Sequence, residues 1–156
     1  GQDFNPANGE LWFDDNQVDG MGDDIPPGEL NRITAAGQHF GFPWYGGGKT
    51  RTTEYKDSEP PADVVFPAHE YDAHAADLGL TFYTGKMFPA WDGDLFVAAL
   101  VSKYVVRLVL NGNRVVAEER LLVDQKDAVR DLRRGPEGAR DIVAEGAEGR
   151  GYKLVP

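Results

Sequence analysis

The dipeptide Asn111-Gly112, set between two apolar runs, constrains the fold more than any other feature of this sequence. Residues 104–110 read YVVRLVL and residues 114–123 read RVVAEERLLV. Asn-Gly between alternating apolar runs is typical of a tight β-hairpin. Two further β-rich runs, LGLTFYTG and DLFVAAL, precede this hairpin and are separated by Gly93. Four antiparallel strands in about fifty residues match one blade of a β-propeller.

A similar pattern occurs at three places in the chain: NPANGELWF, FPAWDGDLFVAAL and RRGPEGARDIVAE. Each has a proline, then a turn centred on Gly9, Gly93 or Gly138, then a run typical of a strand. A recurrence of this kind indicates repeated β-sheet units.

We therefore predict an all-β chain that forms a partial β-propeller. Residues 1–44 are expected to form one blade, with strands at GQDFNP, LWFDD, ELNRIT and HFGFPW. Residues 45–63, rich in Gly, Thr, Pro and charge, are expected to form a surface loop. A second blade covers residues 64–123. Residues 124–156 offer three candidate strands, at AVRDLRRG, ARDIVAE and YKLVP, and so predict an incomplete blade.

The charge of the chain is concentrated in its first half. The formal net charge is −10, and residues 1–78 carry 15 acidic against 4 basic side chains. Such a surface repels phosphate, so we expect no nucleic acid and no anionic membrane as partner. No apolar run reaches membrane-spanning length, and no basic and then apolar leader opens the chain. The absence of cysteine excludes disulfides and thiolate metal sites.

The acidic stretch GELWFDDNQVDGMGDDIPPGELN, residues 9–31, has two interpretations. Carboxylates and exposed carbonyls at short spacing suit a hard cation such as calcium, which takes six to eight oxygen ligands. Acids in a solvated loop explain the composition equally well. The stretch lacks the D-x-D-x-D-G spacing of an EF-hand.

The chain resembles the C-terminal part of the soluble pyrroloquinoline-quinone (PQQ) dependent sugar dehydrogenases, the glucose and sorbosone dehydrogenase family. The similarity is carried, in order, by LWFDDNQVDGMGDDIPPGELNRITAAGQHFGFP, HAADLGLTFYTGKMFPAWDGDLFVAAL, RLVLNGNRVVAEERLL and VRDLRRGPEG. It implies roughly the last two and three-quarter blades of a six-bladed propeller, each blade four-stranded. It further implies oxidation of an aldose at its anomeric carbon, with the hydride passed to the quinone, in a periplasmic or secreted protein.

The resemblance also assigns metal ligands. The backbone carbonyls of Gln17 and Val18 align with those that hold calcium beneath the quinone. The carboxylate of Glu29 and the backbone carbonyl of Phe40 align with ligands of a second, structural calcium. With the resemblance, a calcium near Glu29 is the preferred interpretation of the acidic stretch.

Four residues are candidates for contact with PQQ by the same resemblance. Tyr71 aligns with an aromatic residue that covers the cofactor plane, and His74, three residues later, would lie at the same opening of the cofactor site. Arg130 aligns with an arginine that pairs with the quinone carboxylates. Lys103 is a weak substitute for a family lysine that aligns with Val101. Packing on a loop explains Tyr71 and His74 as well, and a surface pair with Asp131 or a neighbour explains Arg130.

Several family residues are replaced or have no counterpart. Ala128 stands for the first arginine of the family's R-x-R-D motif, and Ala144 for a threonine. The general-base histidine and an Arg-Asn pair of the family precede the region matched here. None of the three histidines is assigned as that base, so we name no catalytic residue. The chain alone is expected to be inactive. A non-catalytic propeller module that binds sugar or a protein partner, or a structural fragment, are the alternatives.

Two expectations concern surfaces. Arg140 and Asp141 put charge where an apolar strand core is expected, so either this strand is exposed or the last unit lacks blade packing. A segment of under three blades leaves blade faces uncovered. We therefore expect a homodimer that packs blade face on blade face, or association with a separate N-terminal portion.

Overall fold

The computed structural model describes residues 1–16, 18, 28–71, 77–135, 139–145 and 149–156, with only the backbone at residues 77, 78 and 140. These residues form an all-β structure with two short 3₁₀ turns, Pro89–Trp91 and Val123–Gln125. The strands are β1 (Gln2–Phe4), β2 (Leu11–Asp15), β3 (Glu29–Ile33), β4 (Tyr45–Gly47), β5 (Thr50–Arg51), β6 (His69–Glu70), β7 (Asp77–Phe82), β8 (Leu95–Ala99), β9 (Tyr104–Asn111), β10 (Arg114–Leu121), β11 (Ala128–Arg134), β12 (Arg140–Glu145) and β13 (Arg150–Leu154).

The strands form three consecutive sheets and one small hairpin. The first sheet has the order β1-β2-β3-β6, the second β7-β8-β9-β10 and the third β11-β12-β13, whereas β4 and β5 pair with each other. The hairpin predicted at Asn111-Gly112 joins β9 to β10, with Asn111 opposite Arg114. The four strands predicted for the second unit and the three predicted for the last unit are confirmed.

The fourth strand of the first sheet was predicted at HFGFPW, residues 39–44, and this prediction is wrong. That position in the sheet is filled by β6, which pairs with β3. Residues 39–44 make a single bridge, between His39 and Val64, and then turn. Gly41 has a φ of 108°, and Pro43 has no N–H to donate. Both features prevent a regular ladder.

The second sheet lies between the other two; its strand β8 and the first part of β9 are buried on both faces, whereas β10 is largely exposed. All five residues of β8 are buried, which explains why LFVAA is a continuous apolar run. One face packs against the first sheet in a core that includes Trp12, Leu30, Tyr71 and Phe82. Residues of the other face pack with those of the third sheet in a core of Tyr83, Phe96, Ala98, Val105, Val129, Leu132 and Ile142.

The first strands of the first two sheets run side by side in the same direction. Gly1 packs against the backbone of Leu80. Two residues further on, the carboxylate of Asp3 accepts a hydrogen bond of 2.8 Å from the N–H of Phe82. Since both contacts advance together along the two chains, β1 and β7 are parallel neighbours.

The first strands of the second and third sheets are related in the same way. Gly79 packs against the backbone of Asp131, and Arg134 donates to the carbonyl of Thr84 over 3.1 Å. The three strands β1, β7 and β11 therefore line one side of the molecule, as the inner strands of successive propeller blades do. We call the end where these strands begin the leading end, and the opposite end the trailing end.

The third sheet turns a charged face away from the second sheet. Arg130 and Glu145 are about half exposed. Asp141 is exposed and lies directly opposite Arg133 on β11 and Lys153 on β13. This placement answers the question posed by the charge at residue 141, because its side chain belongs to the exposed face and not to the core.

In the described part of the chain, no helix has the length and apolar character needed to cross a membrane.

We predict that Gly79→Ala destabilises the chain. A Cβ there would lie 2.7 Å from the Asp131 carboxylate and 3.0 Å from its Cα, so β7 and β11 must move apart. Overpacking of this kind costs about 1–3 kcal/mol. Urea unfolding measures the effect. The matched control is Gly151→Ala, whose Cβ would meet open space and which should change the free energy of unfolding by about 0.5 kcal/mol or less. Equal effects in both variants would contradict the prediction.

Candidate functional site

The antiparallel order of the sheets brings most of the predicted site residues to the leading end. The connection from β2 to β3, the end of β6, the turn from β8 to β9 and the start of β11 all lie at this end. These segments contain Val18, Glu29, Tyr71, Lys103 and Arg130. Gln17 and His74, which were also predicted site residues, lie outside the described residues.

A pocket of about 310 Å³, which we call the acid pocket, opens at the leading end. Its walls come from the end of β2, the start of β3 and the segment that follows β3. It is lined by Asp15, Asn16, Val18, Glu29, Phe40, Phe42, Tyr45 and Gly46. Val18, Glu29 and Phe40, three of the four predicted calcium ligands, therefore lie in one pocket.

Strand register places the two acids of this pocket. Asp15, the last residue of β2, is directly opposite Glu29, the first residue of β3, so both side chains lie on the same face of the sheet. Glu29 is only 6% exposed. Its carboxylate accepts hydrogen bonds from the Asn31 side chain over 3.0 Å and from the Gly48 N–H over 2.8 Å. Gly48 has a φ of 53°, which favours glycine.

Desolvation disfavours the charged form of both acids, although Glu29 is buried and Asp15 is exposed at the rim of the pocket. Desolvation raises the pKa of Glu29, and the donors Asn31 and Gly48 only partly offset this effect. Desolvation also raises the pKa of Asp15, and the neighbouring charge of Asp14 adds to the shift. The ionised carboxylates are therefore destabilised in this pocket, and a bound cation would relieve that cost.

The oxygen atoms of the acid pocket are of the kind that coordinate a hard cation. Two carboxylates and the main-chain carbonyl of Phe40 are the kind of ligands that calcium takes. A further buried acceptor, Asn31 Oδ1, has no hydrogen-bond donor among the described residues. Within those residues no group of three or more His, Cys, Asp or Glu side chains could hold a metal ion. A calcium here would thus depend on carbonyl oxygens and water in addition to the acids.

Tyr71 and Lys103 have very different surroundings. Tyr71 is 3% exposed and belongs to the core between the first two sheets. Its ring meets the edge of His69, with 5.3 Å between centroids, so almost none of its surface is open to a ligand. Lys103 is exposed in the turn between β8 and β9, where its φ is 58°.

Arg130 forms an ion pair on the exposed face of the third sheet. Its Nε lies 2.7 Å from Glu145 Oε2, and this hydrogen bond lowers the pKa of the Glu145 carboxyl. The sequence offered Asp131 or a neighbour as partner, whereas Asp131 pairs with Arg133 over 3.2 Å. A break in register between Val129 and Asp131 places Arg130 beside Glu145 on the adjacent strand.

The structure gives two of these residues contacts within the protein. The ring of Tyr71 is buried, the guanidinium of Arg130 pairs with Glu145, and Ala128 and Ala144 bring no polar side-chain group. The contacts of Tyr71, Lys103 and Arg130 with PQQ stay predictions.

The acid pocket also contains residues that sequence reasoning did not single out. Asp15 was one acid among several in the stretch, and Phe42, Tyr45 and Gly46 were assigned no role. The available signal for Asp15 was period-two alternation, because pairing β2 with β3 puts it opposite Glu29. The other three could not be found this way, since they reach the pocket through an irregular segment.

Comparison with known proteins places the chain in a family. The model of the glucose/sorbosone dehydrogenase family matches residues 1–154. The aldose sugar dehydrogenase YliI of Escherichia coli K12 is 29% identical over the whole chain, which spans 41% of that protein. The chain thus spans less than half the length of this relative.

Solved structures show the same fold. A glucose dehydrogenase structure is 32% identical, with a TM-score of 0.84 over 99% of this chain and 43% of that one. The PQQ-bound aldose sugar dehydrogenase of Streptomyces coelicolor is 18% identical with a TM-score of 0.71, a likeness of fold alone. The prediction of a partial β-propeller is confirmed.

Proposed function

The chain belongs to the glucose/sorbosone dehydrogenase family, and from this we propose that it is a segment of a PQQ-dependent aldose dehydrogenase-like protein. The proposed reaction oxidises a sugar at its anomeric carbon. The proposal is carried by the family match over residues 1–154. The PQQ bound to the S. coelicolor relative and the sugar named for the E. coli relative support it. We also propose a periplasmic or secreted location, on the same family grounds.

In this proposal the chain supplies scaffold and a cation site, not the reacting groups. PQQ, when bound to the whole protein, would accept the hydride from the sugar. The acid pocket would hold a calcium through Glu29, Asp15 and the carbonyl of Phe40. Because this chain offers no assigned general base, the proton acceptor has to come from residues outside it.

A non-catalytic propeller module that binds sugar or a protein partner is the second candidate. The ion pair of Arg130 with Glu145 and the burial of Tyr71 favour it. An absorbance titration with PQQ and calcium separates the two candidates. A saturable shift of the quinone spectrum favours the dehydrogenase segment, and an unchanged spectrum favours the module.

We predict no sugar dehydrogenase activity from this chain alone, even with PQQ and calcium added. Without a positioned base, proton transfer loses a factor on the order of 10² to 10⁴. Dye-linked oxidation of glucose measures the activity, with a full-length family member as positive control. Turnover by the chain at the rate of that control would contradict the prediction.

We predict that Glu29→Gln weakens calcium binding at least about tenfold, which corresponds to about 1.4 kcal/mol. The substitution keeps the hydrogen-bond acceptor for Gly48 but removes the charged ligand. Calorimetry on the calcium-free chain measures the affinity. Glu59→Gln removes an exposed acid outside the pocket and is the matched control. Equal affinities of parent and Glu29→Gln would exclude Glu29 as a ligand.

We further propose that the chain self-associates or joins a separate N-terminal portion through the edge of β13. In the described chain β13 pairs with β12 alone, and an open edge presents main-chain donors and acceptors to another strand. We propose this edge in place of the face-to-face packing expected from the sequence, because the outer face of the third sheet carries the charged side chains of Arg130, Asp141 and Glu145, which would lose water on packing.

Sedimentation at micromolar concentration tests this proposal. We predict a homodimer that persists at high salt, because main-chain hydrogen bonds are little affected by screening whereas ion pairs on the sheet face are weakened. A monodisperse monomer would contradict self-association. A dimer that dissociates in salt would contradict the edge as its contact.

A further inference from the structure

A second pocket lies at the trailing end, away from the acid pocket. It measures about 310 Å³ and is formed where the three inner strands end. Asp3 and Phe4 come from β1, Thr84 follows β7, and Arg134 is the last residue of β11. We call it the trailing pocket.

The polar groups of the trailing pocket are held in place by their own hydrogen bonds. Asp3 accepts 2.8 Å bonds from its neighbour Phe4 N–H and from Phe82 N–H, and a 3.1 Å bond from the Thr81 hydroxyl. Arg134 donates from Nη1 to the carbonyl and hydroxyl of Thr84. Both of these bonds come from Nη1, whereas a guanidinium carries five N–H donors on three nitrogens.

Phe4 adds an apolar surface beside these polar groups. Its side chain is 64% exposed although it lines the pocket. A single exposed aromatic residue is ordinary on a protein surface. Here, however, the ring shares one concave site with a carboxylate and a guanidinium, and that combination is typical of small-molecule sites.

We propose that the trailing pocket binds the ring of a neutral sugar. Asp3 and Arg134 bring one negative and one positive charge to the pocket lining, so the lining has no net charge that would select a singly charged ligand over a neutral one. Sugar hydroxyls can donate to the carboxylate and accept from the guanidinium, while the apolar face of a pyranose packs on Phe4. The volume is at the small end of the range for ligand pockets, about 300–1,000 Å³, which suits one ring.

This site is distinct from the proposed calcium site. The trailing pocket lies at the opposite ends of the inner strands from the acid pocket, so a sugar held there would be remote from a calcium at Glu29. The proposal goes beyond the dehydrogenase assignment and does not depend on PQQ or calcium.

Ligand-observed NMR with glucose, titrated into the calcium-free chain, tests the proposal. We expect saturable binding whose dissociation constant rises about tenfold in Phe4→Ala and in Arg134→Gln, a loss of about 1.4 kcal/mol in each. Phe42→Ala is the matched control, since Phe42 is 65% exposed but lines the acid pocket; it should leave the affinity unchanged. If Arg134→Gln does not fold, Arg134→Lys takes its place in the titration, because it keeps the positive charge and removes the forked N–H donors of the guanidinium.

The outcomes separate this proposal from the proposed function. Absence of saturable glucose binding by the parent chain overturns the trailing site, as does a loss of binding in Phe42→Ala with none in Phe4→Ala. The results of calcium calorimetry and of the PQQ titration do not depend on the outcome of the glucose titration. Their failure would count against the dehydrogenase assignment and leave the glucose result unaffected.

Discussion

The parallel packing of β1, β7 and β11 is the constraint on which the rest of the structure depends. Asp3 ties the first pair of strands by accepting from Phe82, and Gly79 lets the second pair approach to backbone contact at Asp131. Because the three strands run in one direction, each antiparallel sheet sends its turns to the same two ends. Residues far apart in sequence are thereby gathered into the acid pocket at one end and the trailing pocket at the other.

The two ends differ in how their charges are balanced. In the acid pocket, desolvation raises the pKa of the Glu29 and Asp15 carboxyls, and no basic side chain lines that pocket among the described residues. In the trailing pocket, Asp3 is accompanied by Arg134 within the protein itself. The two ends of the molecule thus offer ligands different electrostatic surroundings, acidic at the leading end and of mixed charge at the trailing end.

Much of the fold could be predicted from sequence, since Asn111-Gly112 and the alternating runs around it depend on local physics. The two-residue strand β6 could not, because it has no periodicity and is paired only after a long excursion from β3. Glu29 was predicted from the resemblance, and its partner Asp15 follows from register. The partner of Arg130 was missed because a break in register at Val129 moves it beside Glu145, and no pattern in the sequence signals such a break.

The charged outer face of the third sheet and the apolar cores inside the molecule respond to different physical conditions. Both faces of the second sheet are packed through apolar side chains, so their contribution weakens on cooling and carries a large heat-capacity change. On the outer face of the third sheet, Asp141 lies opposite Arg133 and Lys153. These charged side chains are exposed, so ionic strength acts directly on any interaction between them. A change of temperature therefore alters mainly the stability of the packing between sheets, whereas a change of salt concentration alters mainly the interactions of the charged outer face.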